Sequence, residues 1–375
     1  MKLIGLPRVQ IISSLIRSSW QPGRMTHAVN YVPQAPNHHG PESSVRSGAR
    51  NAVRNPGGSQ DQDFPNKTIN AFDSDNLGDE FAAYLPLPAK LDPHFEESLR
   101  HVLENPGSLV RPRIVFQMGT AYHLSSTRAK DLAIAIEYFH TASLLFDDLP
   151  CMDNAARRRG APCVHVAFGE ASAILTALAL INRAYALIWR AACECPHHRH
   201  SQALSYVEQC LGVEGLLNGQ SLDLHYSALP HDGETTQRIA RGKTVSLIRL
   251  TLVLPALLGG ASASDIRLLE RISVYWGLSY QIVDDLKDVR HSATETGKTV
   301  ARDLLLDRPN IALAIGIPDA VERLDRLIRL GDRTLSRILI SRPALSFLED
   351  LRSQLHAEVT RVTQDACETT MRAVS

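Results

Sequence analysis

From Asp92 onward, apolar residues recur at intervals of three and four, the spacing of one face of an α-helix. Leu99, Val102 and Leu103 begin such a stripe, and Asn105-Pro106-Gly107 ends it with a helix-stop signal. The pattern then predicts helices over 111–124 and 127–146. An alanine- and leucine-rich core helix is predicted over 169–191 and a further helix over 202–224. Leu324, Leu327, Ile328, Leu335, Ile338, Leu339, Leu351, Leu355 and Val359 continue the period as packing helices. No stretch shows sustained alternation of period two between turn signals. The pattern therefore predicts an all-α protein, a bundle whose site lies in the core between facing helices.

The first residues break this pattern. Residues 1–60 carry seven basic residues against one acidic, Glu42, with eight serines and six prolines. A basic, serine-rich, acid-poor start has the composition of an organelle transit peptide; a disordered extension, or a start at Met25, is the other reading. A secretory signal is not expected, for want of a clean apolar core with a small-residue cleavage site. Residues 56–80 stay polar and glycine-rich. The chain thus divides into an extension, 1–75, and an all-α domain, 76–375. The compartment expected is the cytoplasm, with an organelle as the alternative.

Bulk composition narrows the function. The 375 residues hold 40 Lys plus Arg against 40 Asp plus Glu, so no excess charge argues for nucleic acid. Six scattered cysteines suggest no disulfide framework. No apolar run reaches about 18 residues without a charge, so no transmembrane helix is expected. Residues 176–192 come nearest, but Asn182, Arg183 and Arg190 interrupt them.

Candidate chemistry centres on residues 139–165. His140, Ser143, Leu144, Asp147 and Asp148 fall at i, i+3, i+4, i+7 and i+8 and share a helical face, which Pro150 ends. Asp153 follows, then Arg157, Arg158 and Arg159. Adjacent carboxylates repel unless a cation lies between them. Hard oxygen donors suit Mg²⁺, which keeps some water and completes its shell with substrate phosphate, and arginines can take the remaining phosphate charge. A second set, Gln281, Asp284, Asp285 and Asp288, stands at i, i+3, i+4 and i+7 among Trp276, Leu278, Ile282, Val283 and Leu286. A solvated acidic patch is the bland reading of either set alone; two sets in one chain, with arginines behind the first, argue against it.

Residues 147–160, DDLPCMDNAARRRG, and residues 280–289, YQIVDDLKDV, resemble the two aspartate-rich motifs of the trans-polyprenyl diphosphate synthase family. The first is similar to the plant and bacterial form, with four residues between the second and third aspartates. The likeness runs from about Leu99 to about Leu330 and keeps the family's motif order. It implies the isoprenoid synthase helical bundle, with a central active-site cavity and usually two copies per assembly. It implies Mg²⁺, or Mn²⁺, held by Asp147, Asp148, Asp153, Asp284, Asp285 and Asp288. It implies condensation of an allylic prenyl diphosphate with isopentenyl diphosphate. Arg158, Lys243 and Lys298 would add charge at the allylic diphosphate, while Lys243, Thr244 and Gln281 would face the carbocation. Arg111, His140, Arg159 and Arg308 would hold the second diphosphate. Gly219, Gln220 and Asp223 resemble the family's glycine-glutamine-x-x-aspartate element.

Ser108 and Leu109 depart from the family, which has a lysine and an arginine there. The departure implies a weaker hold on isopentenyl diphosphate. Ala142 and Ser143, five and four residues before Asp147, are small where farnesyl-producing relatives usually carry an aromatic ring. The resemblance thus implies a product longer than farnesyl diphosphate, namely geranylgeranyl diphosphate. Two other readings stay open: a terpene synthase-like relative that ionises a prenyl diphosphate without condensation, and a non-catalytic modulating subunit of a heteromeric synthase. Gly242-Lys243-Thr244 is not a P-loop, because Gln237 stands where its first glycine belongs and no strand precedes it. Cys193, Cys195, His197, His198 and His200 fit no common zinc spacing and read as an interhelical loop.

Overall fold

A computed structural model describes residues 77–296 and 309–374, with side chains placed for 77–289 and 309–364. Residues 1–75, Lys298 and Arg308 lie outside the described residues. Helices follow one another in the order α1 (Leu77–Ala83), α2 (Pro93–Leu103), α3 (Val110–Ala121), α4 (Ser126–Asp147), α5 (Val164–Phe168), α6 (Glu170–Cys193), α7 (His197–Leu211) and α8 (Leu216–Leu224). They continue with α9 (Gly233–Ala240), α10 (Ser246–Leu258), α11 (Ala263–Thr296), α12 (Ile311–Ile315), α13 (Ile317–Ser341) and α14 (Leu348–Val374).

Local chemistry sets the helix ends. The Asp92 side chain caps α2 by accepting from the Phe95 N–H at 2.9 Å, and Pro93 takes the first turn, where a missing N–H costs nothing. Helix α4 is apolar around most of its circumference and is therefore the buried centre, packed against α3, α6 and α10. On α6 the inner stripe Ala173, Ala177, Leu180, Ala184, Leu187 and Ile188 meets α4, and its small residues let the two backbones approach. The long α11 packs on α10, α13 and α14.

Two expectations need correction. The helix expected over 202–224 is two helices, because the chain leaves helical dihedrals at Gly212 (ψ −156°) and Gly215 (φ −111°, ψ −118°). A side chain at Gly215 would lie 2.0 Å from the Cys210 carbonyl oxygen, so the break requires glycine. Helix α6 is core on one face only: Ile174, Leu175, Leu178, Tyr185 and Trp189 are exposed. By length and composition α6 is apolar enough to cross a membrane. Its inner face belongs to the bundle, however, and Arg183 and Arg190 bond the Tyr84 carbonyl and Asp131. Finally, the regular structure among the described residues includes one antiparallel ribbon, β1 (Arg157–Arg158) with β2 (Ala161–Pro162). The cysteine- and histidine-rich stretch is mostly helical, with His197, His198 and His200 in the first turn of α7.

Between α9 and α10 the helix continues through a π-helical turn, Arg241–Val245. Such widened turns occur often at functional sites. Gly242 in this turn lies against Gly219 of α8: a Cβ on Gly219 would be 2.4 Å from the Lys243 nitrogen, and one on Gly242 would be 2.6 Å from the Gly219 Cα. The glycine of Gly242-Lys243-Thr244 thus serves a helix crossing. Gly219→Ala is expected to destabilise the protein by about 1–3 kcal/mol through overpacking, read as a lower midpoint of denaturant unfolding. An unchanged midpoint would show that the crossing yields freely.

Candidate active site

A cavity of about 450 Å³ opens between α4, α6, α7, α8 and the π turn. One part is polar, with Arg111, His140, Asp147, Gln220, Lys243 and Thr244 on its wall. The remainder is apolar and is walled by Phe139, Phe146, Ile181, Tyr185, Leu211 and Leu247, among others.

Asp147 ends α4 and is buried at the polar end. Burial pushes its carboxyl up to about 6, helped by Asp153 and Asp223 and opposed by Lys243 and Arg158. Residues 149–154 curl back on the helix end. The Asp153 N–H donates to the Asp147 carbonyl at 2.9 Å, and Asn154, at φ +48°, donates to the Leu149 carbonyl. This brings Asp153 beside Asp147. Asp148, one residue further round α4, goes elsewhere. Its carboxylate accepts Nε of Arg158 at 2.8–2.9 Å and a terminal nitrogen of the same guanidinium at 2.6 Å. The nearby Cys163 thiol is pushed up to about 12 by burial and by Asp148.

Lys243 reaches the cavity from the π turn and donates to Asp223 at 2.7 Å. Burial disfavours its charge, but Asp147, Asp223 and Asp153 more than offset this and hold the ammonium above its ordinary value. The next residue, Thr244, donates to Gln281 Oε1 at 2.7 Å, tying the π turn to the second acidic set on α11. Gln281 Nε2 donates to Asp285 at 2.8 Å, and Asp285 also accepts the Ile311 N–H at 2.7 Å. Burial drives the Asp285 carboxyl up to about 8, against these hydrogen bonds. Asp284 is half-buried, 3.6 Å from Lys287, and Asp288 is exposed. The helical face drawn in each set is therefore split: Asp148 closes on Arg158 and Asp285 on Gln281 and the Ile311 N–H, while Asp147 faces the cavity.

A second cluster lies beside the cavity. Arg111 and Glu137 are both buried, 4.0 Å apart, and Arg159 lies 3.7 Å from the other oxygen of Glu137. Burial lowers Arg111 to about 10 despite Glu137, and raises Glu137 despite the two arginines. His140 is buried with its Nδ1 lacking a hydrogen-bond partner; burial and the three arginines around it keep the ring neutral. Sequence reasoning missed Glu137. Its signal was a single carboxylate inside the apolar run 132–146, three residues before His140.

The ribbon explains why neighbouring arginines reach different partners. Arg159 and Gly160 form its two-residue turn with φ +52° and +84°, as a type I′ hairpin requires. Arg158 then falls on Asp148, and Arg159 donates to the Asn105 carbonyl at 3.0 Å while facing Glu137. Leu109, also left-handed at φ +52°, is buried in the core. Ser143 lines the cavity, its hydroxyl donating to the His140 carbonyl at 2.8 Å. Ala142 is fully buried and, unlike Ser143, is not among the residues that line the cavity. Phe139 and Tyr185 stand there instead, their rings packed edge to face at 4.9 Å.

The donor chemistry fits Mg²⁺. The available groups are carboxylate oxygens, and among the described residues no three of His, Cys, Asp or Glu form a ready-made metal cage. Mg²⁺ is commonly bound by one or two carboxylates, with water and substrate phosphate completing its octahedron.

Comparison with known proteins agrees with this geometry. The family model described as polyprenyl synthetase matches residues 92–335. A chloroplastic geranylgeranyl pyrophosphate synthase of Catharanthus roseus is 34% identical over 275 residues, 73% of this chain and 76% of the relative. A geranylgeranyl diphosphate synthase of Pseudescherichia vulneris is 32% identical over 263 residues, 70% and 83% of the two chains. Among solved structures, an FPP/GFPP synthase of Zymomonas mobilis aligns with a TM-score of 0.64 at 26% identity, covering 76% of this chain and 95% of its own. A geranyltransferase of Helicobacter pylori, complexed with magnesium and isoprenyl diphosphate, aligns at 0.61 and 25%, covering 79% and 99%. The chain belongs to the polyprenyl synthetase family, and its bundle is the all-α isoprenoid synthase fold.

Proposed function

We propose that this protein condenses an allylic prenyl diphosphate with isopentenyl diphosphate and releases geranylgeranyl diphosphate. The observation that carries the reading is the cavity itself: cations and carboxylates at one part, aromatic and aliphatic walls over the rest, matching a diphosphate head and a prenyl tail. The two other readings are less well supported, since the relatives named above are synthases and both acidic sets are present in full.

Asp147, Asp148, Asp153, Asp284, Asp285 and Asp288 would hold Mg²⁺, or Mn²⁺, with Asp148 also tied to Arg158 and Asp285 to Gln281. Bound Mg²⁺ supplies positive charge to the leaving diphosphate as the allylic carbon–oxygen bond breaks. Lys243, kept charged by Asp147 and Asp223, adds to that charge, with Lys298 assigned the same task by sequence. The Thr244 hydroxyl donates its hydrogen bond to Gln281, so the lone pairs of its oxygen would face the developing carbocation. Arg111, Arg159 and the neutral His140 would hold the second diphosphate, Arg308 joining them by sequence. Gln220 lines the wall beside Met152. The double bond of isopentenyl diphosphate attacks the allylic carbon, a carbon–carbon bond forms, and the released diphosphate takes the proton that leaves.

Exposed Ile174, Leu178, Tyr185 and Trp189 lie on one face of α6 at i, i+4, i+11 and i+15, a face suited to a second copy of this chain. The plant relatives are chloroplastic or mitochondrial, in keeping with the organelle alternative for residues 1–75 rather than the cytoplasm.

Chelation of divalent metal is expected to abolish turnover. Asp147→Ala and Asp284→Ala should each lower it by at least ~10²–10³-fold, as for the loss of one electrostatic contact to a developing charge. Near-normal turnover in either variant would sink the metal assignment. For product length, Ser143→Phe should shorten the product to farnesyl diphosphate and Phe139→Ala should lengthen it beyond geranylgeranyl diphosphate. Ala142→Phe should lower stability without setting length, because that position lies in packed core. Farnesyl diphosphate from the unaltered protein would overturn the length reading. The double variant Leu178→Glu, Trp189→Glu should sediment as a monomer and the unaltered chain as a dimer; a monomeric unaltered chain would refute the pairing.

A further inference from the structure

The two arginine–carboxylate arrangements near the cavity differ in kind. Arg158 and Asp148 make three close contacts between 2.6 and 2.9 Å, through Nε and one terminal nitrogen of the guanidinium. Glu137 stands 4.0 Å from Arg111 and 3.7 Å from Arg159, beyond hydrogen-bond length, and its Oε2 accepts no hydrogen bond. It therefore meets both guanidiniums at ion-pair range rather than through hydrogen bonds.

Its position also decides where two cations go. Arg111 comes from α3 and Arg159 from the turn of the ribbon, 48 residues apart in sequence. Two guanidiniums in a buried site repel each other, and Glu137 of α4 lies between them. Arg159 is steered from its other side as well: it donates to the Asn105 carbonyl, and its guanidinium covers Gly107, where a Cβ would meet Cζ and Nε at 2.6 Å. It thus lies over the loop in which Leu109 turns into the core and Ser108 offers no charge. One carboxylate against two guanidiniums leaves a net positive charge suited to an anion.

We propose that Glu137 is a positioning residue, a buried carboxylate that holds Arg111 and Arg159 side by side so that both serve the diphosphate of isopentenyl diphosphate. The inference rests on the condensing reading above. A carboxylate that merely diluted the positive charge would weaken anion binding, and its removal would tighten it; a positioning carboxylate has the opposite sign.

The test is Glu137→Gln, nearly the same shape without the charge. The Michaelis constant for isopentenyl diphosphate should rise about ten- to hundredfold, the value of one charge-assisted contact, while that for the allylic substrate stays within about twofold. Glu137→Asp should recover part of the loss. Combined with Arg159→Lys, Glu137→Gln should cost less than the product of the two single effects, since it acts through that arginine. Calorimetric titration with isopentenyl diphosphate alone reads the same change without turnover, so failure of the unaltered protein to condense would sink the activity and leave this measurement valid. An unchanged or lower constant in Glu137→Gln, equal losses for both substrates, or fully multiplicative effects would overturn the proposal. If Glu137→Gln does not fold, the aspartate variant is read instead, and a wild-type constant there overturns it equally.

Discussion

A carboxylate moved from water into an apolar helix bundle must find a cation or a donor, and α4 with its C-cap carries four buried ones: Asp131, Glu137, Asp147 and, at the cap, Asp148. They are answered in different ways. Asp131 takes Arg190 in a two-pronged contact. Asp148 takes Arg158 in another. Glu137 stands between two arginines at longer range, and Asp147 sees Lys243 only through Coulomb attraction. From Asp131 through Glu137 to Asp147 the partner thus loosens, while Asp148, turned from the cavity, is held tightly. Tight pairs hold helices and ribbon together; loose ones leave carboxylates and guanidiniums with capacity for a metal or a diphosphate.

The π turn makes these local solutions into one site. Its widened backbone places Lys243 near Asp147 and Asp223, and the adjacent Thr244 on Gln281 of α11. An ordinary α-helical turn would rotate the two residues differently with respect to α8. The crossing of Gly219 and Gly242 sets the depth at which that turn sits. Packing and chemistry are coupled here, because the backbone that carries Lys243 is also the surface on which α8 rests.

The departure at Ser108 and Leu109 has a structural counterpart. Leu109 joins the core in a left-handed conformation, which costs a non-glycine residue roughly 1–2 kcal/mol and is offset by burying its side chain. Arg159 reaches that loop from the ribbon, donating to the Asn105 carbonyl and covering Gly107.

Much of this was legible beforehand. The helical period, the two acidic sets and their order along the chain led to the all-α bundle and the prenyltransferase family, because periodicity and motif spacing are local properties. The sharing of one face by Asp147 and Asp148 was also a local inference, and there it stopped short: residues one apart on a helix differ by about 100° in direction, and only the ribbon decided that Asp148 would close on Arg158. Glu137 carried no motif, and its partners come from α3 and a hairpin turn far away in sequence. Ala142 and Ser143 looked equivalent, yet which of them meets the cavity depends on where α6 and α7 lie against α4. The break at Gly212 and Gly215 was hidden because a helical stripe continues across it. Sequence by itself thus determined the elements and the chemical inventory. The partners of each charge and the wall of the cavity were decided by tertiary structure, since direction and distance between helices arise from packing that no single helix encodes.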